Sequence, residues 1–313
     1  MRQGGAAARV TIVPHKIRLA ADLARSAYLR PPPHAHDGPL VTVVIAAYNR
    51  AEVLRHALAS VLAQRYRRLE VLVVGDACTD DSERVVAEAA DGRVRWHNLD
   101  RNTGSQAGPN EHARRMARGE VVAYLGQDDL WRPDHVGVLV ADLDRTGADV
   151  SSTVAMTVWP PPRAARRFNS PPPGAFVAPS CLMHTREGGE AAGGWRDHRL
   201  SVLPPDADFL HRLGESGARF SHVRALTVVK FASTHRPNSY RDHRSDEQAA
   251  FSRRLARRSF VARELAAAAL RAPVPAPAPA VARGAADVPG GLVAEYRRIR
   301  GLETDADYDP RSS

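Results

Sequence analysis

Val121-Val-Ala-Tyr-Leu-Gly-Gln-Asp-Asp-Leu-Trp-Arg-Pro133 begins as an apolar run and ends in two adjacent carboxylates. Its first five residues have the β-branched, apolar character of a buried strand, so Asp128 and Asp129 fall at that strand's carboxyl end. Ligands of open α/β sheets collect at this edge. Two neighbouring carboxylates repel each other unless a cation or a shared proton lies between them. A hard divalent ion, held by one or two carboxylates and completed by substrate phosphates, meets that need.

Working outward, Leu40-Val-Thr-Val-Val-Ile-Ala-Ala-Tyr-Asn49 reads as a first strand. A helix follows from Ala51 to Gln64, with Val53, Leu54, Ala57, Leu58, Val61 and Leu62 at helical spacing. Leu69-Glu-Val-Leu-Val-Val-Gly75 is a second strand that runs into Asp76, and a helix then extends to about Ala90. Val94 to Leu99 is a third strand, a polar loop spans Arg101 to Pro109, and a helix covers Asn110 to Arg118. This alternation predicts an α/β fold: a mostly parallel central sheet flanked by helices. No Gly-x-Gly-x-x-Gly follows the first strand, and no Gly-x-x-x-x-Gly-Lys-Ser/Thr occurs. Asp76 beyond strand two then suits a base or ribose, and the pair beyond strand four suits a metal-bound diphosphate.

Four segments in order sharpen the reading: Val43-Val-Ile-Ala-Ala-Tyr-Asn-Arg50, Val73-Val-Gly-Asp-Ala-Cys-Thr-Asp-Asp-Ser82, Asn102-Thr-Gly-Ser-Gln-Ala-Gly-Pro-Asn110 and Ala117 to Asp134. In order and spacing they resemble the family 2 glycosyltransferases, which adopt the GT-A (Rossmann-like) fold. The likeness is firm over residues 39–145 and thinner to 245. It implies an inverting transfer of a sugar from a nucleotide-diphosphate sugar to a hydroxyl of a glycan or lipid-linked acceptor, with Mg²⁺ or Mn²⁺ as cofactor. By the same resemblance, Ala46, Tyr48 and Arg50 line the nucleotide pocket, Asp76 accepts a hydrogen bond from the base, and Gln127 belongs to the metal and ribose motif. Asp128 is the first choice for the metal-binding carboxylate and Asp129 the second.

The implied chemistry accounts for the residue types. A bound cation stabilises charge growing on the leaving diphosphate, and the acceptor hydroxyl needs a general base. The resemblance puts that base in Gly193-Gly-Trp-Arg196 … Pro204-Pro-Asp-Ala-Asp208, at Asp206, with Asp208 two residues on. It also offers His235 as an additional metal ligand and Arg236 as a phosphate contact. Gly75, Gly126 and Pro205 stand where relatives often carry acidic residues. These departures keep a second reading open, a catalytically silent nucleotide- or sugar-binding partner in a glycan-assembly complex. A sugar nucleotidyltransferase is disfavoured, because its Gly-rich, Arg-containing loop after strand one is absent.

Composition is that of a globular enzyme of 313 residues with a net charge of +9. Arginine is spread evenly and no aromatic-basic signature appears, so no nucleic-acid partner is expected. Two cysteines without metal spacing fit a reducing cytoplasm, and no apolar run approaches a membrane span. Lys16 to Arg30 is amphipathic and mildly basic, which suits either peripheral contact at the inner face of a membrane or packing on the domain. Punctuation divides the chain into that helix and a Pro-rich linker (1–38), a GT-A domain (39–245), a helix (246–271) and a Pro/Ala linker with a tail (272–313). The domain splits into a nucleotide-sugar half (39–145) and an acceptor half (146–245). The sequence leaves the donor base, the sugar and the acceptor unspecified.

Overall fold

A computed structural model describes residues 21–23, 38–160, 166–231, 235–269 and 287–302. Strands β1 (Val41–Ala47) and β2 (Leu69–Gly75) are apolar and buried almost throughout, the pattern of parallel strands covered on both faces. Between them, α1 (Ala51–Leu62) buries Val53, Leu54, Ala57, Leu58 and Val61 along one face. Next come α2 (Ser82–Glu88), β3 (Val94–Asn98), α3 (Ala107–Met116) and β4 (Val121–Gly126). All four strands are parallel, in the order β3-β2-β1-β4. The order reverses between β1 and β4. A ligand crevice is expected just beyond the carboxyl ends of these two strands.

The rest of the chain extends the same sheet. It contains β5 (Leu130–Trp131), α4 (His135–Thr146), β6 (Val150–Val158), β7 (Arg166–Asn169), β8 (Leu182–Thr185), α5 (Arg186–Ala191), α6 (Pro205–Glu215) and β9 (Phe220–Lys230). β8 pairs antiparallel with β4 and β6, and β9 runs parallel to β6 and antiparallel to β5. Every antiparallel pair thus involves a strand of this second half, and the whole is one nine-stranded sheet.

An aromatic cluster bonds the halves. The Tyr124 hydroxyl meets His184 Nε2 at 3.0 Å, while Trp195 lies 5.1 Å from the Tyr124 ring and stacks on Phe209 at 4.7 Å. The turn before Trp195 has Gly193 and Gly194 at φ +74° and +68°, a conformation that L side chains resist. Glu111 accepts the Trp195 backbone N–H at 3.0 Å. This packing fixes the start of α6 against β4.

Two details depart from expectation, and a third bears on the two readings of the amphipathic segment. The single helix expected to 271 is two, α7 (Asp246–Leu255) and α8 (Phe260–Ala269). Phe251, Leu255, Phe260 and Val261 all enter one buried cluster. In an unbroken helix Phe260 would point about 140° away from Leu255, so the break lets both be buried. Second, α9 (Gly291–Arg300) is not a free tail but part of the cleft described below. Third, Leu23 is fully buried in the same cluster as Phe260, and Asp22 pairs with Arg224 at 3.0 Å. The described part of the amphipathic segment thus packs on the domain; its remainder, and the linkers at 31–37 and 272–280, lie outside the described residues. No described helix is long and apolar enough to cross a membrane.

Candidate active site

A cleft of about 340 Å³ opens where the strand order reverses. Its walls include Ala46 and Tyr48 after β1, Asp76 after β2, Gln127 and Asp128 after β4, Asp206 at the start of α6 and Lys230 at the end of β9. Of the expected site residues, Ala46, Tyr48, Asp76, Gln127, Asp128 and Asp206 therefore line one space. Asp129, Asp208, Arg50, His235 and Arg236 are not among the lining residues.

Asp76 is buried and accepts the Thr103 backbone N–H at 2.8 Å. Burial pushes its carboxyl up to about 6, against the opposing Thr103 hydrogen bond and the Arg297 charge. Gln127 works on the backbone: its Oε1 accepts the Tyr48 N–H at 2.8 Å, and its Nε2 donates to the Tyr48 carbonyl and the Tyr240 hydroxyl at 3.3 and 3.1 Å. This amide clamp joins the ends of β1 and β4. Arg50 lies behind it, buried over the Tyr240 ring and 3.4 Å from Asp128. It braces the Asp128 side chain instead of lining the pocket.

The two adjacent carboxylates part company. Asp128 is 18% exposed and faces the cleft. Asp129 turns inward, wholly buried, and accepts from Ser180 Oγ (2.5 Å), Lys230 Nζ (3.0 Å) and the Phe231 N–H (2.9 Å). Burial pushes the Asp129 carboxyl up, and these three donors oppose that. Burial also pulls the Lys230 ammonium down, but the charges of Asp129 and Asp128 outweigh it and raise its pKa. These three donors take up most of the acceptor sites of the carboxylate, and Asp129 does not line the cleft, so the structure does not bring it where a second metal ligand was expected and its partners give it a positioning role. Asp129→Ala would leave the Lys230 charge uncompensated and is expected to cost about 3–5 kcal/mol of stability. Urea denaturation measures it; a loss below 1 kcal/mol would contradict the assignment.

Asp206 sits half-buried in the first turn of α6, and its Oδ1 accepts the Ala207 N–H at 3.0 Å. Burial raises its pKa, against the Lys230 and Arg300 charges. Asp208 points away. It pairs with Arg196 at 2.5 Å and with Arg212 at 2.9 Å, and although burial opposes it, these partners lower its pKa. The structure thus does not bring Asp208 to the cleft wall but holds it as an ion-pair anchor. His235 stacks on Trp159 at 5.1 Å, and Arg236 is held by Glu247 at 2.8 Å and the Val158 carbonyl at 3.1 Å. Neither is brought to the cleft wall. Burial pushes the Cys78 and Cys181 thiols up to about 11 and 12, so neither is poised as a nucleophile.

The sequence reading missed Tyr240, Lys230 and the α9 residues Tyr296, Arg297 and Arg300, all on the cleft wall. The departures from the family pattern also have local causes. A Cβ at Gly75 would come 2.6 Å from the Trp96 ring and would strike Asn98. At Gly126 it would lie 3.2 Å from Asp129, where a third carboxylate would add like charge.

For a divalent cation, the cleft offers Asp128 at the end of β4, with the carboxylates of Asp76 and Asp206 on other elements of its wall. Among the described residues no three His, Cys, Asp or Glu side chains cluster as a cage. This donor set fits Mg²⁺ or Mn²⁺, which keep waters and take substrate phosphates, and does not fit a metal needing several protein ligands.

Residues 42–170 match the profile described as Glycosyl transferase family 2. Among curated proteins, the chain is 39% identical over 120 residues to "Succinoglycan biosynthesis protein ExoO" of Rhizobium meliloti, covering 38% of this chain and 34% of that protein. It is 32% identical over 92 residues to the Escherichia coli "UDP-Glc:alpha-D-GlcNAc-diphosphoundecaprenol beta-1,3-glucosyltransferase WfaP", covering 29% and 36%. The chain thus spans about a third of the length of these relatives. Its fold is shared with S. aureus TarS 1-349 in complex with UDP-GlcNAc, at TM-score 0.55 and 17% identity over 75% of this chain and 67% of that one. A mannosyltransferase of Pyrobaculum calidifontis, in complex with GDP-Man and Mn2+, aligns at TM-score 0.50 and 18% identity over 94% of both chains. Residues 42–170 thus carry the sequence pattern of the family 2 glycosyltransferases, within a chain that shares the GT-A fold.

Proposed function

We propose that the chain transfers a sugar from a nucleotide-diphosphate donor to an acceptor hydroxyl, with inversion, in polysaccharide or glycolipid biosynthesis. The observation that carries this reading is the convergence of Asp76, Asp128 and Asp206, from three separate elements, on one cleft. Asp76 binds the base edge by accepting an N–H. Asp128 holds Mg²⁺ or Mn²⁺, which when bound supplies Lewis-acid stabilisation of the leaving diphosphate. Asp206 takes the acceptor proton; its raised pKa makes it a better base than an ordinary carboxylate. Direct attack opposite the leaving group inverts the anomeric carbon, and the proton ends on Asp206.

Relatives and neighbours support the substrate classes: one is named for a diphosphoundecaprenol acceptor, and two structures hold UDP-GlcNAc or GDP-Man with Mn2+. Exposed Phe176 on the cleft wall, with exposed Leu200, Val202 and Leu203 just before Pro204, favours an acceptor with an apolar portion. Calorimetric titration with UDP, GDP and dTDP, with and without Mn²⁺, tests the donor side. One diphosphate is expected to bind more tightly with metal; failure of all three to bind would overturn the reading.

Asp76 carries a second prediction. Its raised pKa means that its stability contribution is full below the unfolded value of 3.8 and is lost as pH rises through about 6. Asp76→Asn at pH 7 is therefore expected to stabilise the fold by about 2 kcal/mol while weakening nucleotide binding. Thermal melting and the same titration read both effects, and a destabilised variant would contradict them.

A further inference from the structure

We propose that Arg300, on a helix far downstream of the family-matched segment, forms with Lys230 an anion site that grips the diphosphate of the nucleotide ligand, an inference that rests on the donor reading above. Helix α9 is fastened to loops around the cleft. The Gly290 N–H donates to the Ser201 carbonyl at 3.0 Å, and Arg297 Nη1 donates to the Gly104 carbonyl at 3.3 Å. The N–H groups of Asn238 and Tyr240 donate to the Ile299 and Arg300 carbonyls at 3.1 and 3.2 Å, and Arg241 Nε donates to the Gly301 carbonyl at 3.1 Å. Pinned in this way, the helix presents Val293, Tyr296, Arg297 and Arg300 to the cleft.

The three arginines of the last turn are employed differently. Arg297 is buried and engaged with Gly104 beside Asp76. Arg298 pairs with Glu295 at 2.5 Å and is exposed. Arg300 lines the cleft with its guanidinium 6.0 Å from the Tyr296 ring centre, and its Nε is buried without a hydrogen-bond partner among the described residues. Leaving such a donor unmade costs about 1–3 kcal/mol; no described carboxylate lies within ion-pair distance of the guanidinium, so an anion in the cleft is the partner it lacks. On the opposite element, Lys230 gives one N–H to Asp129 and has two more; its side chain is 29% exposed, on the cleft wall.

Both cations line the same cleft as Asp206, and both charges oppose the rise of its pKa. Two cations facing a cleft that also holds Asp128 suit a group with at least two negative charges, able to take arginine bidentately and a carboxylate-held cation as well. A diphosphate has that charge and that reach. Arg236, which the sequence pointed to for this role, is spent on Glu247.

The test titrates the full chain with inorganic pyrophosphate in Mg²⁺ buffer, alongside UDP and uridine, for wild type, Arg300→Ala, Arg300→Lys and Arg298→Ala. Arg300→Ala is expected to weaken pyrophosphate at least tenfold and to shrink the advantage of UDP over uridine by a similar factor. Arg300→Lys should recover part of the loss, and Arg298→Ala should match wild type. Pyrophosphate binding unchanged in Arg300→Ala, or absent from the wild type, would overturn the site. Pyrophosphate carries neither base nor sugar, so the anion site can stand if sugar transfer fails, and can fall while sugar transfer survives.

Discussion

Replacing Asp206 with asparagine is expected to slow sugar transfer by about 10²–10⁴-fold while leaving nucleotide binding intact. The side chain is nearly isosteric, and its Oδ1 can still accept the Ala207 N–H that fixes it at the start of α6. Only the capacity to take a proton is lost. A helix N-terminus favours a carboxylate, yet burial wins and raises the Asp206 pKa. The base must be ionised, so the wild-type rate should fall as pH is lowered through a value above the usual carboxylate range. That limb should vanish in the variant. Asp76 titrates near 6 and acts on donor affinity, so kcat at saturating donor isolates Asp206. A variant with near-normal kcat would remove Asp206 from the chemistry.

Asp128→Ala should abolish the metal dependence of donor turnover and lower turnover by about 10²–10³-fold, the scale of losing one preorganised electrostatic stabiliser. It removes the carboxylate that β4 directs into the cleft and leaves Arg50 without its 3.4 Å partner. The fold should tolerate this, because the buried network around Asp129 is untouched. Mn²⁺ binding followed by electron paramagnetic resonance gives a readout apart from turnover. Unaltered Mn²⁺ affinity would mean that the cation is held elsewhere.

The sheet was legible because β1, β2 and β4 are near-continuous apolar runs punctuated by polar turns, and strand ends mark the crevice. Choosing between neighbours within the site was harder. Asp128 and Asp129 differ by one position in a tight turn, where the Asp129 N–H reaches the Gly126 carbonyl at 3.0 Å; which of them turns inward depends on Ser180 and Lys230, distant in sequence. For Asp206 and Asp208 a signal was present. Two residues on a helix lie about 200° apart, so only one can face a cleft, and Arg212 stands four residues after Asp208, ready to pair with it. His235 and Arg236 were expected, by resemblance, at the metal and the phosphate, but Trp159 and Glu247 claim them. The α9 residues fell in the stretch read as a tail, and no periodicity tells what a helix there would pack against. The one-residue departures at Gly75 and Gly126 became intelligible only with Trp96 and Asp129 beside them.

The most direct measurement is nucleotide release from a panel of UDP-, GDP- and dTDP-sugars, with Mn²⁺ and with EDTA, for wild type, Asp128→Ala and Asp206→Asn. The account predicts release from one donor that requires metal, is lost in Asp128→Ala, and is slowed in Asp206→Asn when acceptor is supplied. Release that is indifferent to both metal and Asp128, or a wild type that neither binds nor cleaves any donor, would contradict it.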